Sequence, residues 1–195
     1  SGSRGRRRAN RRPTVVKVLD VPTPTAVLAS LGGPAIASLD GSITFYQIGG
    51  LVGGAPAIAD EIRAAGSLKV GRNPVCLAYN KYGAGFLAVS RGDREMAWIN
   101  GWGSNAQISH RLRDQRLVDP VYAEVSDTHG IEGPIVTIVD FHGRKILNYR
   151  YGPLKFATQG GAIFGVGATG HDEFECGGVL EFPGHPFAMS ATNVN

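Results

Sequence analysis

A rhythm that returns about every 50 residues is the feature that most constrains what this chain can fold into. Each unit has a proline, an apolar strand, a Gly-rich turn, a second strand, a polar turn and a third strand. The clearest copy, from Gly71 to Asn100, reads GRNP, VCLAYN, KYGAG, FLAVS, RGDR and EMAWIN. A repeat of this size marks one supersecondary unit that cannot bury its apolar face alone and must stack on its neighbours.

Two further copies of the unit are present. One runs from Asp119 to Tyr149 and reads DP, VYAEVS, DTHGIEG, PIVTIVD, FHGR and KILNY, and a looser one runs from Thr23 to Ile48. Short turns connect only antiparallel neighbours. Three adjacent antiparallel strands are therefore predicted in each of residues 25–50, 70–100 and 119–150.

The end of the chain restates the beginning of a unit. GHPFAMSATN, from Gly184 to Asn193, matches GRNPVCLAYN and then stops. Pro74, Pro120 and Pro186 are therefore predicted to occupy equivalent positions at the start of an inner strand, where a missing N–H is tolerated.

The segments between the units are less regular. VVKVLDV (15–21) is predicted to begin the strand structure, and APAIADEIRAAGS (55–67) has the spacing and the terminal glycine of a short helix. Residues 102–118 fit either a long outer strand or a polar excursion. Residues 152–178 are Gly-rich and strand-like, and we expect them to supply a fourth unit.

Composition supports one globular domain. The chain has 195 residues, 43% of them hydrophobic and 18% charged, with 28 glycines and 11 prolines that punctuate nearly every strand candidate. Cys76 and Cys176 lie on different units, so a disulfide and two free thiols both remain open. Cysteine use does not fix the compartment, and we slightly favour an extracellular or cell-surface location.

The net charge of +4 is concentrated in one segment. Residues 1–14 contain six arginines and no acidic residue, and have no apolar periodicity, so they are predicted to be a disordered arm preceding the repeat domain (15–195). Guanidinium groups on a flexible segment can neutralise phosphates through counterion release. An acidic protein, an anionic membrane surface or a protease would also suit such an arm. The candidate residues for binding an anionic partner are Arg4, Arg6, Arg7, Arg8, Arg11 and Arg12.

The unit at 71–100 resembles the YVTN-type β-propeller repeat, with its Gly-x-x-Pro start, a strand, a turn and a valine-rich second strand. The unit at 119–149 is similar to it but lacks the first glycine and has a longer first turn. The resemblance implies an all-β, propeller-like fold of about four antiparallel blades, which could be part of a larger ring. It implies binding or scaffolding and no catalytic residues.

Several polar clusters have ordinary structural interpretations. The Arg-Gly-Asp tripeptide (91–93) lies between two strands, where Gly and Asp are common turn residues. Asp and His in the two Asp-x-His pairs fall in predicted turns, and the acidic residues of HDEFECGG (171–178) follow strand alternation. We therefore predict no catalytic residues, no metal site and no cofactor. The Asp-x-His residues are Asp127, His129, Asp140 and His142.

These observations predict a non-enzymatic structural or interaction module with a basic arm that contacts an anionic partner. The alternative is a small icosahedral virus coat protein, in which the arm would bind packaged RNA and a jelly roll would form the shell of the virion. The arm favours that alternative, whereas the repeated unit does not, because jelly rolls have no internal period of about 50 residues.

The half-unit at the end predicts a partner. A lone first strand leaves a row of backbone donors and acceptors unpaired. Either VVKVLDV closes the array within the chain, or another polypeptide, the same or different, completes or caps it. The start at Ser1 instead of Met and the loose fourth unit favour a second polypeptide.

Overall fold

A computed structural model of the chain describes residues 17–30, 33–48, 62–79, 85–126, 135–151, 156–159, 162–165 and 174–186. Within these ranges the chain forms fourteen β-strands and a short 3-10 helix at Gly103–Asn105. The first four strands are β1 (Pro24–Ser30), β2 (Gly33–Ser38), β3 (Ser42–Ile48) and β4 (Ile62–Lys69). The next four are β5 (Pro74–Tyr79), β6 (Gly85–Ser90), β7 (Glu95–Asn100) and β8 (Gln107–Arg113). The last six are β9 (Pro120–Ser126), β10 (Ile135–Asp140), β11 (Lys145–Tyr151), β12 (Phe156–Gln159), β13 (Ala162–Gly165) and β14 (Phe174–Glu181).

Twelve of the fourteen strands form three four-stranded antiparallel sheets, in which all neighbours but β11 and β14 follow one another along the chain. Sheet 1 has the order β1-β2-β3-β4, sheet 2 the order β5-β6-β7-β8, and sheet 3 the order β9-β10-β11-β14, while β12 pairs with β13 inside the connection from β11 to β14. The predicted three-stranded units are confirmed, and each gains a fourth strand. Such local pairing is typical of propeller blades, whereas a jelly roll pairs distant strands.

The three sheets share their irregularities as well as their order. Each has one register shift near its leading proline and a second where the third strand pairs with the fourth. The second shift follows Phe45 in sheet 1, Trp98 in sheet 2 and Asn148 in sheet 3. Bulges at matching positions make the sheets structural equivalents, strand for strand.

Backbone hydrogen bonds at one end of the sheets repeat in the same way. We call this end, which carries the β2–β3, β6–β7 and β10–β11 turns, the rim. In every sheet, the carbonyl before the leading proline accepts a hydrogen bond from the first residue of the rim turn. The bonds are Leu39 N to Thr23 O at 3.0 Å, Arg91 N to Asn73 O at 3.0 Å and Phe141 N to Asp119 O at 2.9 Å.

The leading prolines therefore occupy equivalent positions. Pro24, Pro74 and Pro120 each begin an inner strand and pair with the last residue of the second strand. The prediction is confirmed for Pro74 and Pro120. Pro186 lies after β14, and since residues 187–195 are outside the described part, its equivalence stays a prediction.

Among the described residues, the core consists of two seams, with sheet 2 between sheets 1 and 3. Phe86 and Ile99 face sheet 1, where Phe86 and Trp102 pack edge-to-face on Phe45. The alternating residues Leu87 and Trp98 face sheet 3. Because both faces of sheet 2 are covered, all of β6 is buried. This explains the nearly continuous apolar run in its sequence.

The helix predicted at 55–67 is wrong where the structure describes it, because Ile62–Lys69 is strand β4 and pairs with β3. Gly66, which suggested a helix stop, instead permits a close approach: its φ is +157°, and a Cβ there would lie 2.5 Å from the carbonyl carbon of Gly103. The helical propensity of the Ala-rich segment is overridden by pairing and packing.

The structure also decides the predictions for three other segments. Gln107–Arg113 is an outer strand, which was one of the two interpretations of residues 102–118. The described part of VVKVLDV, residues 17–21, is not a strand, so the strand predicted there is wrong for that part. The fourth unit expected at 152–178 is also wrong in its described part, because β12 and β13 form only a two-stranded sheet and the described residues after them belong to β14, which completes sheet 3. None of the described residues belongs to a helix long and apolar enough to cross a bilayer.

Candidate functional site

The face of sheet 3 that points away from sheet 2, here called the trailing face, carries a continuous apolar row. Tyr122, Val139, Ile146 and Leu180 are paired in register across β9, β10, β11 and β14, and we call them the trailing row. Val139 is fully buried, whereas Leu180, on the outermost strand, is 56% exposed. Burial, together with the nearby Glu124 carboxylate, raises the pKa of Tyr122 above its ordinary value.

Sheets 1 and 2 each have an equivalent row, and each of these rows packs on the next sheet along the chain. By strand and register, Val139 corresponds to Ala37 in sheet 1 and to Val89 in sheet 2. Ala37 belongs to the seam between sheets 1 and 2, and Val89 to the seam between sheets 2 and 3. The trailing row thus occupies the position at which each earlier sheet meets its successor. The corresponding rows are Ala26, Ala37, Ile43 and Leu68 in sheet 1, and Cys76, Val89, Met96 and Leu112 in sheet 2.

The row next to the trailing row, farther from the rim, is polar. The next row inward consists of Glu124, Thr137 and Asn148, and the Thr137 hydroxyl donates to the Asn148 side-chain oxygen at 2.8 Å. The equivalent residues of sheet 2 include the buried apolar pair Leu87 and Trp98. An occupant of the trailing face would therefore need an apolar end at the rim and a polar end beyond it.

The opposite end of the stack presents a less apolar surface. On sheet 1, the face pointing away from sheet 2, here called the leading face, carries Val27, Ile36, Thr44 and Ser67 in one register row. Val27 is 66% exposed. Among the described sheets, the trailing face therefore offers the larger apolar row for contact with another sheet.

At the rim, a buried carboxylate joins sheet 2 to sheet 3. Asp119 is ion-paired with Arg91 from the β6–β7 turn, and its carboxylate is hydrogen-bonded to Nδ1 of His142 from the β10–β11 turn. The His185 ring stacks on the Phe141 ring with centroids 4.8 Å apart. These contacts hold the rim turns together.

The other rim carboxylates organise turns. Asp140 is fully buried and accepts hydrogen bonds from the backbone N–H groups of Val118, Asp119 and Gly143. The Ser42 hydroxyl, then the Ser42 backbone N–H, and Lys69 lower the pKa of Asp40 to about 2. Within the described ranges, His, Cys, Asp and Glu side chains do not gather in groups of three that could hold a metal ion.

The six arm arginines, Arg4, Arg6, Arg7, Arg8, Arg11 and Arg12, lie outside the described residues. Asp127 and His129 do too, so a site shared with Asp140 and His142 stays untested. The Arg-Gly-Asp tripeptide is the β6–β7 turn, where Asp93 accepts hydrogen bonds from the backbone and guanidinium of Arg72 at 2.6 and 2.9 Å. Cys76 is a free thiol whose pKa burial raises.

Sequence reasoning did not find the trailing row. Each sheet has a bulge directly after its leading proline, which shifts the two-residue alternation of the first strand. The second strand of each sheet carries a pattern from which the row could have been predicted. In it, Ala37, Val89 and Val139 each lie two positions before the first residue of the rim turn.

A scan against protein-family models found no match for this chain, and a search of the curated proteins found none. What can be said of its function therefore depends on its own residues and geometry.

Proposed function

We propose that this protein is a non-enzymatic interaction module, in which stacked propeller-like sheets present the trailing face to a further sheet of the same kind. The proposal rests on the trailing row. This row is the equivalent, on sheet 3, of the rows through which sheet 1 contacts sheet 2 and sheet 2 contacts sheet 3. The partner is a polypeptide, either a second copy or a different chain, that supplies strands to the open array.

The basic arm supports a second contact within the same function. Arg4, Arg6, Arg7, Arg8, Arg11 and Arg12 lie in thirteen residues without a carboxylate, which suits a polyanion held by charge alone. No aromatic residue is interleaved with these arginines, so stacking on nucleic-acid bases is not part of the proposal.

Light scattering at micromolar concentration, combined with one variant of the trailing row, tests the partner. Leu180→Glu places a charge on the trailing face and should abolish association. Leu39→Glu is the matched control, because Leu39 is similarly exposed, at 50%, but lies in a rim turn. A wild-type oligomer that only Leu180→Glu dissociates supports association between copies.

A monomer also decides the question when it is combined with hydrogen exchange. If residues 15–21 and 186–193 exchange rapidly in the monomer, the array is open and a different chain must complete it. If both segments are protected in a stable monomer, the chain closes by itself and the requirement for a partner is refuted.

Heparin binding followed over a salt series tests the arm. Changing Arg6, Arg7, Arg8, Arg11 and Arg12 to Gln should abolish salt-sensitive binding and leave the melting temperature nearly unchanged. The control changes Arg63 in β4 and Arg144 in the β10–β11 turn, both of which are exposed, and should retain most of the binding. Unaltered binding by the arm variant would remove the arm from the proposed function.

A further inference from the structure

The leading face of sheet 1 has the positions through which sheets 2 and 3 pack on the sheet before them. Because the sheets match strand for strand, each residue of the leading face has a counterpart in both of the other sheets. The row of Val27, Ile36 and Thr44 corresponds to Leu77, Ala88 and Ala97 in sheet 2 and to Ala123, Ile138 and Leu147 in sheet 3. All six counterparts are buried.

A tyrosine on the leading face also has a buried counterpart. Tyr46 directly follows the bulge in the pairing of β3 with β4, and Tyr149 occupies the same place in β11. Tyr149 belongs to the seam between sheets 2 and 3, and its hydroxyl donates to the Asp114 carboxylate at 2.9 Å. Tyr46 is half-buried. It therefore has the residue type and the place of a seam tyrosine, on a face that points away from sheet 2.

The trailing row of sheet 3, in turn, has the residue types of the row through which sheet 2 packs on sheet 3. Val139 corresponds to Val89, and Leu180 corresponds to Leu112. Val89 and Leu112 both belong to the seam between sheets 2 and 3. The two end faces of the stack thus carry the two halves of a seam of the kind found inside it.

The polarity of the two end faces also matches, in the same order from the rim. On the leading face, Val27 and Ile36 lie nearer the rim than Tyr46. On the trailing face, the apolar trailing row lies nearer the rim than the polar row of Glu124, Thr137 and Asn148. Stacked as sheets 1 and 2 are stacked, the faces would join apolar row to apolar row. The Tyr46 hydroxyl, which needs a hydrogen-bond partner when it is buried, would point towards carboxylate and amide acceptors.

We propose that copies of this chain associate head to tail, with the leading face of one copy packed on the trailing face of the next. Val27 is 66% exposed and Leu180 is 56% exposed, so the described part of the chain does not bring its own two end faces together. The contact between copies continues the series of seams that joins sheets 1, 2 and 3. The inference deepens the function proposed above and rests on it, and it identifies the partner as a second copy.

A head-to-tail contact has a consequence that other modes of association lack. Because two different faces meet, every pair of bound copies still has one leading face and one trailing face available. Association then continues until a ring closes, or it produces a filament. A dimer in which two trailing faces met would stop at two copies and would leave the leading faces unused.

Sedimentation velocity on the full chain and on two single variants tests the arrangement. Val27→Glu places a charge on the leading face and leaves the trailing face intact, and Leu180→Glu does the reverse. Each variant alone should lose association at micromolar concentration. An equimolar mixture should form a species of twice the monomer mass and nothing larger, because the intact trailing face of one variant still binds the intact leading face of the other.

Leu39→Glu, in a rim turn, is the control and should associate like the wild type. Thermal unfolding checks that the variants stay folded, as we expect for exposed positions. If Val27→Glu lowers the melting temperature, Ala29→Glu replaces it, because Ala29 is exposed two residues further along the same strand.

An oligomer that Leu180→Glu dissociates and Val27→Glu leaves intact would overturn the head-to-tail contact, and only this inference would be lost. A mixture of the two variants that stays monomeric would overturn it as well. A monomeric wild type would also overturn this inference, and the hydrogen-exchange test above would then decide the proposed function. If neither variant weakens a wild-type oligomer, the trailing face is not the interface and the proposed function is lost too.

Discussion

Tyr149 and Asp114 show how one buried polar pair ties sheet 3 to the chain that leads into it. Tyr149 is fully buried in β11, and its hydroxyl donates to the Asp114 carboxylate at 2.9 Å. The same carboxylate is bound by the backbone and guanidinium of Arg116. Arg116 is the main cause of the lowered pKa of Asp114, and Tyr149 contributes to it.

Tyr149→Phe removes this hydroxyl and should lower the free energy of unfolding by about 1.5–3 kcal/mol, because the lost hydrogen bond is to a charged group. Urea unfolding at neutral pH measures the loss. Tyr46→Phe, at a half-buried tyrosine of sheet 1, is the control and should change stability by less. Equal losses in both variants would show that the Asp114 contact contributes nothing specific.

The Asp114 carboxylate also predicts a pH dependence. Its folded pKa lies below its unfolded value, so its contribution is present above about pH 4 and is lost as the pH falls below that. Asp114→Asn should therefore be less stable at neutral pH and should show a shallower loss of stability between about pH 5 and pH 3. The slope should shrink without vanishing, because Asp93 and Asp40 are shifted in the same direction. An unchanged slope would contradict this role.

Among the elements, the outermost strand β4 depends on one glycine. A side chain at Gly66 would meet the backbone of Gly103 and Ser104, and its φ disfavours any other residue. Gly66→Ala should therefore cost more than about 1 kcal/mol. Gly178→Ala, in the outermost strand of sheet 3, has no atom within 4 Å of the added Cβ and should be neutral or slightly stabilising. Thermal unfolding of the two variants compares them, and similar effects would contradict the close approach.

Truncating a side chain on either face of strand β6 should lower the stability of the fold. Phe86 faces sheet 1 and Leu87 faces sheet 3, with exposures of 1% and 0%. Leu87→Ala should cost about 2–5 kcal/mol and Phe86→Ala about 3–5 kcal/mol. Val27→Ala, on the leading face, should stay within about 0.5 kcal/mol. If urea unfolding shows little loss of stability in Phe86→Ala or Leu87→Ala, the corresponding face of sheet 2 is not covered.

The sequence allowed the inner three strands of each unit to be predicted, because their turns are local and marked by Gly, Pro and Asp. The fourth strands were harder, since they lie outermost and are only partly apolar. The two-residue alternation in β4 is weak, and the four-residue spacing of Ile58 and Ile62, followed by Gly66, suggested a helix instead. The trailing row could not be predicted from two-residue alternation alone. The bulge after each leading proline changes which face of the sheet the following residues point to.

In the molecule as a whole, sheet 2 is covered by sheet 1 on one face and by sheet 3 on the other. Successive residues of β6 therefore belong to different seams. The same order of sheets leaves the trailing face of sheet 3 pointing away from sheet 2, and this is the face at which we propose that a partner binds.

The most direct test is the NOE pattern of one methyl group. Met96 is fully buried in β7 and belongs to the seam with Ile138 and Leu147 of sheet 3. Its methyl should show NOEs to those two side chains and none to Ile43 of sheet 1, which shares the other seam with Phe86. NOEs from Met96 to Ile43, or none to Ile138 and Leu147, would contradict the stacked arrangement.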